Sequence, residues 1–192
     1  MQAASKETLD GLKELGASTV FMAVVEDMRR SQGGLEGRGG HPENYTGPEV
    51  RCLLPELGTA VGYAVTAEVT TNDPDSVAIS WDGYHRLLEE SSSPMIAVMK
   101  DVDSRPGRGN CFGDDMAATH RARGVTGAIV EGSVGDLNGI REIGLPVWGA
   151  GLVPGGGVFS LVRFNASITV AQLRIHPGEL LVADVDGCTK IP

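Results

Sequence analysis

The chain of 192 residues is long enough to bury about two-thirds of its unfolded surface, so a single domain spanning residues 1–192 is expected without disulfide staples. Hydrophobic residues make up 41% and charged residues 21%, ordinary globular values, whereas 27 glycines are about twice average usage and imply many turns and close backbone approaches. A formal net charge of −9 and an isoelectric point near 4.9 set the mean field against a phosphate backbone, so no nucleic acid is expected as a direct ligand.

Cys52, Cys111 and Cys188 form no CxxC pair and are odd in number, which argues against a disulfide framework and a zinc cluster and fits a reducing, cytoplasmic setting. The opening "MQAASKETLDGLKELG" mixes charged and apolar residues at helical spacing, without the apolar centre of a signal peptide. No run reaches transmembrane length, so no membrane association is expected.

Residues 6–15 and 19–30 read as helices: Leu9, Leu12 and Leu15 share a face, and Ser18 is placed to cap the second. The glycine-rich stretch 31–48 is a loop by composition, either a connector or a lid. From Gly58, "GTAVGYAVTAEVTT" has the Val/Thr content of a strand, and residues 73–94 read as a helix interrupted near Gly83. "MIAVMKDV" is a buried strand delivering the chain to the loop "DSRPGRGNCFGDD". Helix 115–123, strand 127–131, helix 136–142 and strand 146–149 then alternate, which predicts an α/β fold with parallel pairing. "GVFSLVRFN", "ITVAQLRI", "ELLVADVD" and "CTKIP" are short β segments, read as an antiparallel layer added to this unit.

Motifs for phosphate-loop (GxxxxGK[ST]), zincin (HExxH) and hydrolase-elbow (GxSxG) chemistry are missing. Two aspartates carry more. Asp114 follows Gly113 where a loop enters a helix, and Asp136 begins the next helix after a strand. Each is open to reading as a helix cap. As a pair, on successive β/α units at strand C-terminal ends, they converge on one crevice where such sheets bind ligands. Oxygen ligands of this kind suit Mg²⁺ or Mn²⁺.

The segment from Gly113 to Asp136, the following "IREIGLPVWGAGLVP" and the closing "PGELLVADVDGCTKIP" resemble the RraA-like family, which includes the regulator of ribonuclease E activity and class II pyruvate aldolases. Family aldolases carry Asp, twenty intervening residues, then Arg-Asp. Here Asp114 is followed by twenty residues and then Gly135-Asp136, with "ARG" at 122–124 in register.

The resemblance implies a β/β/α swivelling-type α/β domain, assembled as a homotrimer with sites between subunits. It also implies a lyase that cleaves or decarboxylates small 2-oxo acids of the 4-hydroxy-4-methyl-2-oxoglutarate and oxaloacetate type. Asp136 matches the ligand of the divalent metal, and Asp114 the aspartate that contacts metal-bound water. The backbone of Gly113, Asp114, Asp115 and Met116 matches the loop that holds the substrate carboxylate.

Gly135 stands where the family's arginine pairs with the oxo acid, and loss of such a donor costs about 10²- to 10³-fold in rate. Arg105 or Arg108, just upstream, are expected as substitute cations, or else the missing side chain leaves room for a larger or less anionic substrate. Two readings stay open: a metal-dependent lyase with an altered substrate, favoured by the retained aspartates, and a non-catalytic regulator that binds a protein partner, favoured by the missing arginine. His120 and Cys111 are secondary candidates as proton shuttle and nucleophile, against the ordinary alternative of packing. Glu131 is read as orienting the site or bonding a neighbouring strand.

Overall fold

In Met95-Ile96-Ala97-Val98-Met99 successive side chains are all apolar, which at the two-residue period of a strand demands burial on both faces. The computed structural model, which describes residues 3–31, 43–73, 76–91 and 94–192, meets that demand. Met95, Ala97 and Met99 enter one core, and Ile96 and Val98 enter another on the opposite face.

In chain order the elements are α1 (Lys6–Ser31), β1 (Arg51–Cys52), β2 (Ala60–Thr70), α2 (Asp82–Glu90), β3 (Met95–Asp101), β4 (Asn110–Phe112), α3 (Asp114–Ala122), β5 (Val125–Val134), α4 (Leu137–Ile143), β6 (Val147–Leu152), β7 (Ser160–Phe164), β8 (Ile168–Val170), β9 (Leu173–Ile175), β10 (Leu180–Asp184) and β11 (Gly187–Ile191). Among the described residues the main sheet runs β1-β6-β5-β3-β2-β10-β11, with β4 also on β5 and β7 also on β2. β2, β3, β5 and β6 are parallel, so their C-terminal ends share one edge.

One face of the sheet packs Tyr84 and Leu88 of α2, Ala117 of α3 and Ile140 of α4. The other packs Ile168, Val170, Leu173 and Ile175, the inward residues of the β8–β9 hairpin. This mixed sheet with helices is the α/β class expected.

Several expectations need correction. The residues 76–80 that lead into α2 are not helical. Ile79 bridges Leu161, and the helix begins only at Asp82. The stretch "ITVAQLRI" is a hairpin rather than one segment: Ala171 (φ 44°) and Gln172 (φ 67°) both take the left-handed conformation of a two-residue turn, without the Gly or Asn that usually marks one. β7, β10 and β11 extend the main sheet rather than forming a layer of their own, and only β8–β9 stands apart. Most of the 31–48 loop, residues 32–42, lies outside the described residues.

The break inside α1 falls at Gly16 (φ 75°, ψ 170°), but Ser18 does not cap the second half of the helix. Asp184 does so across the fold: its Oδ2 accepts the Ala17 N–H at 2.7 Å and its Oδ1 the Asp186 N–H at 2.9 Å. Ser18 instead donates to Asp186 at 2.8 Å. Gly16 is required twice, by its positive φ and because a side chain there would begin 2.6 Å from Asp184 Oδ2. Asp184→Ala is therefore expected to destabilise the protein by about 1–3 kcal/mol in urea unfolding, and Ser18→Ala by less than about 0.5 kcal/mol.

Candidate functional site

Residues 110–112, read as part of a loop, form the strand that builds the site. β4 pairs in parallel with the end of β5, Asn110 opposite Ser133 and Phe112 opposite Val134, and the Gly135 N–H donates to the Phe112 carbonyl at 2.9 Å. The chain leaves β4 through Gly113 into α3 and leaves β5 through Gly135 and Asp136 into α4. Two β/α junctions therefore sit side by side. A methyl added at Gly113 would lie 3.7 Å from Asp136 Oδ2, and one at Gly139 would lie 2.8 Å from Asp114 Oδ2. Each aspartate leans over the start of the other's helix.

Neither acts as an ordinary cap. Gly113 is the N-cap of α3, so Asp114 is the first helical residue, and its Oδ1 accepts the Asp115 N–H at 2.8 Å. Asp136 occupies the N-cap position of α4 in the left-handed region (φ 49°, ψ 43°) and makes no side-chain capping bond. That conformation costs a non-glycine residue on the order of 1 kcal/mol, least for Asp or Asn. The exposed Asp136 carboxylate has no hydrogen bond or ion pair among the described residues. Of the α3 first-turn amides, that of Asp115 is engaged, whereas helix geometry leaves those of Asp114 and Met116 without intrahelical partners. Asp115 and Met116 also line a recess of about 240 Å³ with Trp81, His85 and Phe159.

Arg105 and Arg108 lie on the loop after β3, which two buried carboxylates fix. Asp103 Oδ2 accepts the amides of Thr71, Asn72 and Asp73, and its Oδ1 that of Arg105. Asp101 accepts the amides of Asp103 and Gly107. Burial works against ionisation of Asp103, but its backbone donors together hold the carboxyl below the usual range; at Asp101 burial prevails and pushes it up. Both arginines are exposed, and neither guanidinium reaches Asp114 or Asp136 in a hydrogen bond or ion pair among the described residues. The loop is thus ordered next to the site through its backbone, not through its cations.

The space expected beside Gly135 is filled. The Asn110 carboxamide lies over the Gly135 Cα, and a methyl at 135 would overlap its Nδ2 and come within 2.8 Å of its Cγ. Sequence reasoning misses Asn110 because it sits in a segment read as loop. Its opposition to Ser133, next but one to Gly135, is visible only once β4 is known.

The secondary candidates resolve as packing. His120 is buried between α2 and α3: Nδ1 donates to the Met116 carbonyl at 2.7 Å, so Nε2 accepts from the Tyr84 hydroxyl at 2.8 Å, which fixes a neutral tautomer. Cys111 is buried, and desolvation followed by the nearby Asp101 charge pushes its thiol up to about 12, far from nucleophile range. Glu131 bonds the Ala171 N–H at 2.5 Å and pairs with Lys100 at 3.1 Å, anchoring the β8–β9 turn to the sheet.

A metal would find oxygen donors only. No group of three His, Cys, Asp or Glu side chains that could hold an ion occurs among the described residues, which does not fit a closed zinc-type cage. A free strand-end carboxylate with a second beside it fits a hard divalent cation that keeps most of its waters. A groove of about 620 Å³ bordered by Lys6, Lys13 and Arg121 lies elsewhere, against Pro94 and Pro146 at the N-terminal ends of β3 and β6. No helix of the described residues is long and apolar enough to cross a membrane.

A mixed α/β sheet with paired acidic β/α junctions at the C-terminal strand edge is the class that fold and site define. The model of the RraA-like family, described as Aldolase/RraA, matches residues 26–189, and the chain belongs to that family. A protein of Halalkalibacterium halodurans, provisionally named a 4-hydroxy-4-methyl-2-oxoglutarate aldolase, is 26% identical over 134 residues, covering 63% of this chain and 62% of the relative. The chain thus spans less than two-thirds of that relative's length. RraAS2 of Streptomyces coelicolor, described as an unusual member of the RNase ES inhibitor RraA family, superposes with a TM-score of 0.70 at 20% identity, over 100% of this chain and 87% of that one. The RNA-processing inhibitor RraA from Thermus thermophilis gives 0.61 at 18% identity, over 88% and 92%. Proteins similar to this chain thus carry the names of an aldolase and of inhibitors of RNA processing.

Burial holds the His120 imidazole down to about 4, below its ordinary 6.5. Between those values the unfolded chain binds a proton that the folded one refuses, so stability is full above about pH 6.5 and falls as pH drops toward 4. Urea unfolding should show a loss on the order of 1–2 kcal/mol between pH 7 and pH 5 that is absent from His120→Gln. An equal loss in the variant would place the acid sensitivity elsewhere.

Proposed function

We propose that the protein is a divalent-metal-dependent carbon–carbon lyase acting on a small 2-oxo acid. The observation that carries this reading is the Asp136 carboxylate: exposed at the end of β5, held in a left-handed conformation, making no capping bond, and set beside Asp114. Asp136 would hold Mg²⁺ or Mn²⁺, with Asp114 facing the same ion. When bound, the ion would supply Lewis-acid stabilisation of the negative charge that develops as the bond breaks. The unpaired amides of Asp114 and Met116 would receive the substrate carboxylate at the N-terminus of α3, where a neighbouring negative charge is favoured.

The lysines support a mechanism without a Schiff base. The sequence holds four: Lys6 and Lys13 lie on α1, Lys100 is engaged with Glu131 and the Thr169 carbonyl, and Lys190 with Glu179 and the Arg174 carbonyl. None is offered to the aspartates. The same reading includes a homotrimer in the cytoplasm, with no nucleic acid and no membrane as partner. A second reading, a non-catalytic regulator that binds a protein, draws support from Gly135, which gives the site no cation at that position.

With Mg²⁺ or Mn²⁺, pyruvate release from a 4-hydroxy-2-oxo acid is expected to exceed the metal-only blank and to fall by about 10²- to 10³-fold in Asp136→Asn, which keeps the left-handed preference and removes the charge. Release unaffected by chelator or by Asp136→Asn would exclude the metal role. No release from any 2-oxo acid, together with no metal binding, would leave the regulator.

A further inference from the structure

The Asn110 carboxamide is half-buried, lies over Gly135 next to Asp136, and makes no hydrogen bond among the described residues. It is nonetheless held in place. Its backbone N–H donates to the Gly155 carbonyl at 2.9 Å, its neighbour Cys111 is buried against Gly132, and its Oδ1 lies 3.3 Å from where a side chain at Gly156 would begin. A positioned polar group that spends no hydrogen bond within the fold is available to a ligand. It is also neutral, and the charged side chains of the two junctions, Asp114, Asp115 and Asp136, are all negative.

We propose that Asn110 is a substrate-contacting, specificity-determining residue, and that the part of the substrate lying over Gly135 is an uncharged hydrogen-bonding group, a hydroxyl, carbonyl or amide, rather than a second carboxylate. This rests on the reading of the site as one for 2-oxo acids. A carboxylate at that point would meet a neutral amide near Asp114, Asp115 and Asp136, with no cationic side chain on the two junctions to pair with it. An uncharged oxygen would gain one hydrogen bond from Nδ2 and no repulsion. Gly135 belongs to the same device, because any side chain there would displace the carboxamide. The two positions therefore act as a unit, the amide at 110 requiring the glycine at 135.

The matched probes are 2-oxoglutarate and its 5-methyl ester, which differ in charge at the far end, with binding measured by calorimetry in Mg²⁺. Wild type should bind the ester at least about 10-fold more tightly, and Asn110→Ala should weaken the ester by about 10-fold while leaving the diacid unchanged. Asn110→Ala/Gly135→Arg should reverse the preference. Separately from any ligand, Gly135→Ala should lower Tm, and Asn110→Gly should restore it. A wild type that binds the diacid as tightly as the ester, an Asn110→Ala variant with the wild-type preference, or a protein that binds neither probe would overturn the proposal. If the ester preference holds while no 2-oxo acid is cleaved, the specificity role of Asn110 stands and the lyase reading fails.

Discussion

The parallel pairing of three residues, Asn110 to Phe112, with the end of β5 is the constraint on which the rest of the site depends. Without it Gly113 and Gly135 would leave the sheet at unrelated points. With it, the Gly135 N–H bonds to Phe112 and the two helices begin next to each other, α4 turning Gly139 toward Asp114. A strand this short has little stability of its own and is held from both sides: Cys111 and Phe112 point into the core with Ala117 and Val134, and the Asn110 amide is tied to Gly155. The hydrophobic core thus positions the aspartates, because the residues between them are the ones that fill it.

That geometry gathers negative charge. Asp114, Asp115 and Asp136 stand at the two helix N-termini, whose partial positive charge favours carboxylates. The net charge of −9 adds no counter-field. Asp103, by contrast, satisfies its carboxylate with four backbone amides in the adjoining loop. The contrast separates a structural acid, whose oxygens are fully used by the fold, from Asp136, whose oxygens are not used at all.

The strand-and-helix alternation is legible in the sequence because a sheet buried on both faces writes apolar runs, as at Met95 to Met99 and, more briefly, Ala128 to Val130. Where helices begin is not legible when the signal is tertiary. Residues 76–80 read as helix because Asp73 and Pro94 bracket them, yet Ile79 is drawn to Leu161 on β7. The cap of the second half of α1 comes from Asp184, 167 residues away, which no local spacing could reveal. The two aspartates are legible as a pair because their spacing encodes one β/α unit. Asn110 is not, because a three-residue strand following Arg105-Pro106-Gly107 carries no periodicity, and its meaning depends on a partner 25 positions later.

Fold does not separate the lyase from the regulator, since one fold hosts unrelated functions. The packing around residue 135 does bear on the choice. Had an arginine simply been lost, its place beside Gly135 would be a void open to water. Instead it is taken by a side chain from another strand, one that makes no hydrogen bond among the described residues. A half-buried amide with no partner among those residues leaves its hydrogen-bonding capacity to solvent or to a ligand. The left-handed Asp136 does carry a cost, since Gly or Asn would sit there with less strain or without charge. Both groups lie at the mouth of one junction, where a bound small molecule would engage them.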